Sequence, residues 1–394
     1  MRRLLPTEII VLFLSMLAIP EGELYNISLK KGQGEHTRRK PSHHAIPPPV
    51  AGEVLPPKFV ELLIIVHSDV CRYHGNGTAD YITNALNQAA GLWSDVKNLG
   101  VNITLSVKKL IIVQRDLHGE LPNTSNAVMA LRKFCSWQKL FKVSSDLSYD
   151  AAILVTRRDI HIDDNYNATG LAYMFGGCDP DYGCAIVEDT SNMGTAITLT
   201  HEIGHILGVH HDGDFNGCPD KLNIMSGFIV SGAAAVRWST CSTQSLLEFL
   251  RMERSRCLSE PPSTDSMRLD PAAMPGDRYD GDSQCRVAFG AGARTCPATR
   301  KSLSCQQLKC MLPTRGECFS TDRPPLDGTM CAINKWCYRG RCVPRPTNPR
   351  RENFKTTFTE ITSLKLIADT PATQTTASTP RENSRTWIKR DRGD

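Results

Sequence analysis

The stretch His201-Glu202-Ile203-Gly204-His205-Ile206-Leu207-Gly208-Val209-His210-His211-Asp212 gathers metal-ligating and acidic side chains in one short segment. His201 and His205 are four residues apart, so on a helix they share a face and can present two nitrogens to one cation. Glu202 lies one step round, where its carboxylate can reach water held beside that cation. Gly208 has no Cβ, so the chain can leave the helix in a left-handed turn and swing His211 back as a third ligand. Three protein ligands leave a fourth position open, the arrangement of a catalytic rather than a structural zinc site. The chemistry is then hydrolysis. Zinc lowers the pKa of water to roughly 7 and polarises a carbonyl, while Glu202 serves as general base and later protonates the leaving amine. A histidine pair at this spacing is only moderately specific, but Gly208, His211 and Asp212 at fixed offsets sharpen it. His210 falls outside the spacing.

A helix over about 195–207 must carry the first two histidines. Around it the pattern predicts buried strands at Val60–Val66, Val101–Val113, Ala151–Thr156, Gly170–Met174 and Ala185–Glu188. Helical spacing of Ile82, Leu86, Ala89, Trp93 and Val96 predicts a helix over 79–99. Further helices are expected at Asn126–Leu140 and Gln244–Met252. Alternating strands and helices imply an α/β domain over 58–260. It holds Cys71, Cys135, Cys178, Cys184, Cys218, Cys241 and Cys257. Three bridges would leave one thiol free, paired with the following module, or linking two chains. After Pro261-Pro262 come Cys285, Cys296, Cys305, Cys310, Cys318, Cys331, Cys337 and Cys342 with few apolar runs. This reads as a small disulfide-stapled module over 261–345, whose even count suits four internal bridges of undetermined connectivity.

The net charge of +5 is spread along the 394 residues, which gives no nucleic-acid signal. Arg2 and Arg3 precede an apolar run from Ile9 to Ile19 and then Ala18-Ile19-Pro20-Glu21-Gly22, so residues 1–22 read as a signal peptide. That run is short for a bilayer, and no later segment reaches spanning length. The 15 cysteines and the sequons at Asn26, Asn76, Asn102, Asn123 and Asn167 agree with an extracellular, glycosylated protein. Residues 23–57, with Arg38-Arg39-Lys40 and Ile46-Pro47-Pro48-Pro49, suit a short pro-segment or a linker. Residues 346–394 are rich in Thr, Pro, Arg and Ser and read as a disordered tail ending in Arg392-Gly393-Asp394, an adhesion-like tripeptide.

The extended histidine motif resembles the metzincins, and Asp212 after the third histidine is similar to the reprolysin (adamalysin) branch, which includes the ADAM and ADAMTS proteases. The resemblance implies a mixed twisted sheet with long helices, an active-site helix, and a Met-turn for which Asn223-Ile224-Met225-Ser226 supplies Met225. It also implies that Asp212 is a buried residue bracing the site. Phe59-Val60-Glu61-Leu62-Leu63-Ile64 and Tyr149-Asp150-Ala151-Ala152 resemble segments whose Glu61 and Asp150 would bind structural calcium, with a third contribution around Cys257 and Glu260. Pro275-Gly276-Asp277-Arg278-Tyr279-Asp280, Asp327-Gly328-Thr329-Met330-Cys331 and Lys335-Trp336-Cys337 resemble a disintegrin-like, cysteine-rich module. Residues 23–57 lack the zinc-capping cysteine common in the family. The compact layout is similar to salivary metalloproteases of blood-feeding ticks, which by analogy implies fibrinogen, fibrin or matrix proteins as substrates and an anti-haemostatic role.

A secreted zinc metalloendopeptidase is therefore the leading expectation. Substrate is expected to add as a strand beside Ala185–Glu188, and the loop Ser226–Arg237 to line a pocket for an apolar residue after the cut. The alternative is an adhesion-blocking binder, acting on cell-surface receptors through the cysteine-rich module or the terminal tripeptide, with incidental protease activity.

Overall fold

From Val60 to Val66 nearly every residue is apolar, so the strand formed there needs cover on both faces. In the computed structural model, which describes residues 55–114, 121–163, 165–191, 193–296, 303–313 and 316–346 and the backbone of 362–363, this segment is β1 (Lys58–Val66). It lies between β2 (Ile103–Ile112) and β3 (Ala151–Thr156), both parallel to it. Beside β3 lies not β4 (Gly170–Ala172) but β5 (Cys184–Glu188), again parallel, and β4 closes that end of the sheet antiparallel to β5. The fold is thus α/β with a mixed, mostly parallel sheet.

The period of two in β1 divides the core. Val60, Leu62, Ile64 and Val66 pack with helices α1 (Ser68–His74) and α2 (Thr78–Trp93) and with Ala196, Leu199 and Ile203, whereas Leu63 and Ile65 pack on the other face against a long helix carrying Leu131 and Phe134. The expected helix over 79–99 is broken at Ser94 and Asp95 into α2 and a single turn, α3 (Val96–Leu99), which Gly100 ends at φ 69°. The helix on the second face is α4 (Ala127–Ser145); Asn126 caps it by accepting from Met129 N, and it runs past the expected end at Leu140.

The position of β5 corrects the expected docking strand. Ala185–Glu188 is interior, paired on one side with β3 and on the other with β4, so its backbone groups are already used. Among the described residues, the free edge at that end belongs to β4. A wholly apolar run such as Ala185-Ile186-Val187 suits a strand enclosed on both sides, whereas an edge strand is short.

Helix α5 (Met193–Ile206), which carries His201 and His205, follows β5, and α6 (Thr240–Arg251) closes the region expected to be catalytic, capped by Ser239. Beyond it β6 (Met267–Arg268) pairs antiparallel with β2, so the chain past Pro262 is still tied to the catalytic sheet. The module then comprises α7 (Pro275–Arg278), α8 (Gly281–Phe289) and two small sheets, β7 (Arg294–Thr295), β8 (Lys309–Met311) and β9 (Cys318–Ser320), then β10 (Met330–Ala332), β11 (Lys335–Tyr338) and β12 (Arg341–Pro344). Its cysteines pair as Cys285–Cys310, Cys296–Cys318, Cys305–Cys337 and Cys331–Cys342. The catalytic region pairs Cys135–Cys184, Cys178–Cys257 and Cys218–Cys241, and Cys71 on α1 is the thiol left over.

The module is fastened to the catalytic region. Gln88 and Asp327 exchange hydrogen bonds of 3.0 and 3.1 Å, and Arg339 pairs with Asp95 at 2.6 Å. Within the expected tail, β13 (Thr362–Ser363) pairs parallel with β2. The expected signal peptide, Asn26, the basic and proline-rich segment up to residue 54 and the terminal Arg392-Gly393-Asp394 lie outside the described residues. No described helix is long and apolar enough to cross a membrane.

Candidate active site

Helix α5 is buried along almost its whole length, so its side chains are held by packing before any metal is considered. His201 and His205 stand one turn apart on it. At Gly208 the backbone turns to φ 77°, and a Cβ there would stand 2.7 Å from the Phe175 ring, so glycine is required by both conformation and space. The reversal is closed by Val209 N donating to Gly204 O at 2.8 Å. It returns His211 to the two helical histidines.

The three Nε2 atoms converge. His211 Nε2 lies 3.1 Å from His201 Nε2 and 3.0 Å from His205 Nε2. Ligand nitrogens around a tetrahedral zinc at 2.0–2.1 Å would stand about 3.3 Å apart, so the spacing fits a zinc ion. Each Nδ1 is turned away to a separate partner: His201 to Ile224 O at 2.8 Å, His205 to Val209 O at 2.9 Å and His211 to Asp214 Oδ2 at 3.3 Å. A carbonyl oxygen can only accept, so in His201 and His205 the proton sits on Nδ1 and the Nε2 lone pair faces the common point. Burial, then the neighbouring His211, pulls the His201 pKa to about 3, and the same causes pull His205 well down. Both are neutral bases suited to a cation.

Glu202 is 3 % exposed, and its Oε2 is a buried oxygen without a hydrogen-bond partner among the described residues. Burial pushes its pKa well up. Such an unsatisfied carboxylate is costly in a packed core unless a guest completes it, as expected of a group that exchanges protons with substrate.

Met225 lies directly beneath. It is fully buried, and a Cβ on Gly204 would stand 2.7 Å from its Sδ, so this helical glycine makes room for the sulfur. The Met-turn backbone also serves the site: Ile224 O accepts from His201, and Met225 O accepts from Asp212 N at 2.8 Å. Asp212 Oδ1 accepts from Ser239 Oγ at 2.5 Å and Ser242 Oγ at 3.4 Å, which ties the histidine loop to the start of α6. Burial raises its pKa.

Glu61 and Asp150, expected at a calcium site, meet through the Glu61 backbone. Asp150 Oδ2 accepts from Glu61 N at 2.8 Å, and Asp150 lies against the Cys178–Cys257 bridge. Burial raises the Asp150 pKa to about 6, with Glu61 and Glu260 adding to the rise. Glu61 Oε1 accepts from Ser263 N, Ser263 Oγ and Ser266 Oγ at 2.9, 2.8 and 2.5 Å. The sequons at Asn76, Asn102, Asn123 and Asn167 are all exposed.

Other residues at the site were not foreseen. Gly170 on β4 abuts the Glu202 carboxylate. Asp189, between β5 and α5, accepts from Tyr81 Oη at 2.6 Å and Thr195 Oγ1 at 2.8 Å and pairs with His74 at 2.7 Å and Arg157 at 3.1 Å, locking α1 and α2 to the start of α5. Its sequence signal is weak, an acidic residue four positions ahead of the first residue of α5.

The profile described as Reprolysin (M12B) family zinc metalloprotease matches residues 58–262, more than half of the chain. This protein belongs to the reprolysin (M12B) family of zinc metalloproteases. Within its module, residues 275–343 match ADAMTS cysteine-rich domain 2. Human a disintegrin and metalloproteinase with thrombospondin motifs 19 is 35% identical over 317 residues, covering 75% of this chain and 26% of that protein. The human homologue with motifs 7 is 35% identical over 296 residues, covering 73% and 17%. This reprolysin thus spans about a quarter or less of those relatives' length. The residues implied by its sequence motif meet in space at the centre described above.

Proposed function

We propose that this reprolysin is a secreted endopeptidase that hydrolyses extracellular proteins, with fibrinogen, fibrin and matrix proteins as substrates and an anti-haemostatic effect. The supporting observation is the convergence of His201, His205 and His211 beside the buried Glu202 carboxylate. The three imidazoles would hold the zinc. When bound, zinc supplies a Lewis acid for the scissile carbonyl and lowers the pKa of water to about 7.

The chain's own groups do the rest. The outer side of β4, the last strand at that end of the sheet, offers backbone donors and acceptors to an extended peptide, which would lie across α5 with its carbonyl over the histidines. Glu202 takes the proton from the attacking water and passes it to the amide nitrogen that leaves. Burial around Glu202 excludes bulk water and strengthens its interaction with the developing charge. Met225, Gly208 and Asp212 hold the histidine loop in register. Glu61 and Asp150 would bind structural calcium, and Asn76, Asn102, Asn123 and Asn167 would carry glycans.

Incubating the protein with fibrinogen and gelatin, with and without a zinc chelator, and sequencing the fragments tests this reading. Chelator-sensitive cleavage at defined peptide bonds is expected. Intact substrates in the presence of zinc-loaded protein would refute it.

A further inference from the structure

The loop after the Met-turn is held by the cysteine-rich module. Gly232 N donates to Gln306 O at 3.1 Å, and Gly340 packs against Ala233, whose Cβ would stand 2.9 Å from a Cβ placed on that glycine. The third contact comes from Arg323, whose Nη1 donates to Val230 O at 3.2 Å. Its base is fixed, because Arg323 O accepts from Leu308 N at 2.9 Å and from Thr321 Oγ1 at 3.1 Å. Its Cγ lies 3.8 Å from where a Cβ would stand on Gly194, the second residue of α5. Gly194 and His201 are seven residues apart, two turns along one face of that helix. The guanidinium therefore lies between the loop after the Met-turn and the start of the active-site helix, and its charge is felt at His201.

A guanidinium carries five N–H donors in a planar fork. Among the described residues, the Arg323 guanidinium makes one hydrogen bond, to Val230 O, which leaves most of the fork for a guest. Burial draws its pKa to about 10, so it is cationic at neutral pH. The loop brings apolar side chains, Phe228 and Ile229 part-exposed and Val230 buried. A guest that satisfies both has an aliphatic stem and a carboxylate tip, which the fork can bind through two parallel hydrogen bonds.

We propose that Arg323 reads the substrate side chain following the scissile bond and selects one that ends in a carboxylate, glutamate above all. This rests on the protease reading. The apolar preference expected from Ser226–Arg237 describes the walls alone, because the cation arrives from 93 residues further along the chain. Lysine and arginine would be excluded by charge repulsion.

Four peptides differing only at the residue after the cut, Glu, Gln, Leu and Lys, would be tested on the full chain, with zinc content and Tm recorded for each variant. The wild type is expected to prefer Glu over Gln by roughly tenfold in kcat/KM, the scale of a charge-assisted hydrogen bond. Arg323→Gln should erase that ratio, chiefly through loss of kcat/KM on the Glu peptide, and Arg323→Glu should favour Lys. Should Arg323→Gln lose its fold, Arg323→Lys keeps the charge without the fork and should retain part of the ratio. Preference for Leu over Glu, with ratios unmoved by either substitution, overturns the proposal. Zinc-loaded wild type that cleaves none of the four overturns the protease reading and this inference with it.

Discussion

Gly170 and Glu202 are in direct contact: a Cβ on Gly170 would stand 2.7 Å from Cδ of Glu202, and closer still to Oε1. The backbone of Gly170 has an ordinary φ, so the glycine is there for space alone. The strand that would carry the substrate is thus seated on the carboxylate that would handle the proton, and one methyl group must displace one or the other. Gly170→Ala should retain zinc and lose roughly a hundredfold in kcat, the scale of a misplacement of about 1 Å in an active site. Steady-state kinetics with metal analysis checks this, and near-normal kcat would show that the contact does not matter.

Asp189 fixes the start of the active-site helix. Burial alone would raise its pKa, but His74, Arg157 and Tyr81 outweigh burial and hold it well below the usual carboxylate range. A depressed folded pKa gives stability that is fully present above about pH 4 and is lost as the pH falls through the folded value. Asp189→Asn should destabilise by about 3 kcal/mol at pH 7, since it strips the partner from a buried cation network. Its melting temperature should depend less on acid than that of the wild type. Parallel acid titrations of the two proteins measure this.

Glu188 behaves in the opposite sense. Burial raises its pKa to about 8, against a bond from Ile160 N that lowers it. A raised carboxyl pKa means stability is lost as pH climbs from the unfolded value toward 8. The melting temperature of Glu188→Gln should therefore rise relative to the wild type between about pH 5 and pH 9. A constant difference across that range would contradict the assignment.

Calcium should raise the melting temperature if Glu61 and Asp150 hold it, by a margin that grows with the logarithm of its concentration. Asp150→Asn should abolish that increment. Differential scanning calorimetry of both proteins, with and without calcium, decides the matter, and an equal shift in both would place the ion elsewhere.

The zinc centre was legible because it is local. His201, Glu202, His205, Gly208 and His211 fall within one helix and its exit turn, where spacing maps directly onto geometry. Met225 could be found because its turn follows closely in sequence. The α/β alternation was legible from periodicity, but the strand order was not, since pairing depends on contacts between distant segments. That is why a sheet edge was expected at β5, whereas β5 is interior and β4 stands at the end of the sheet. The same holds for Gly170 against Glu202, for Asp189 between His74 and Arg157, and for Arg323 behind Val230. None of these residues carries a local pattern that distinguishes it from a turn glycine, a helix-flanking acid or a surface arginine.

The central claim is that three imidazoles hold one catalytic zinc while Glu202 moves the proton. Metal analysis paired with fibrinogen cleavage, for the wild type, Glu202→Ala and His205→Ala, tests it most directly. One zinc per chain is predicted in the wild type and in Glu202→Ala, zinc should be lost from His205→Ala, and cleavage should fall by at least a hundredfold in both variants. Cleavage that survives Glu202→Ala, or a wild type that binds no stoichiometric zinc, would contradict it.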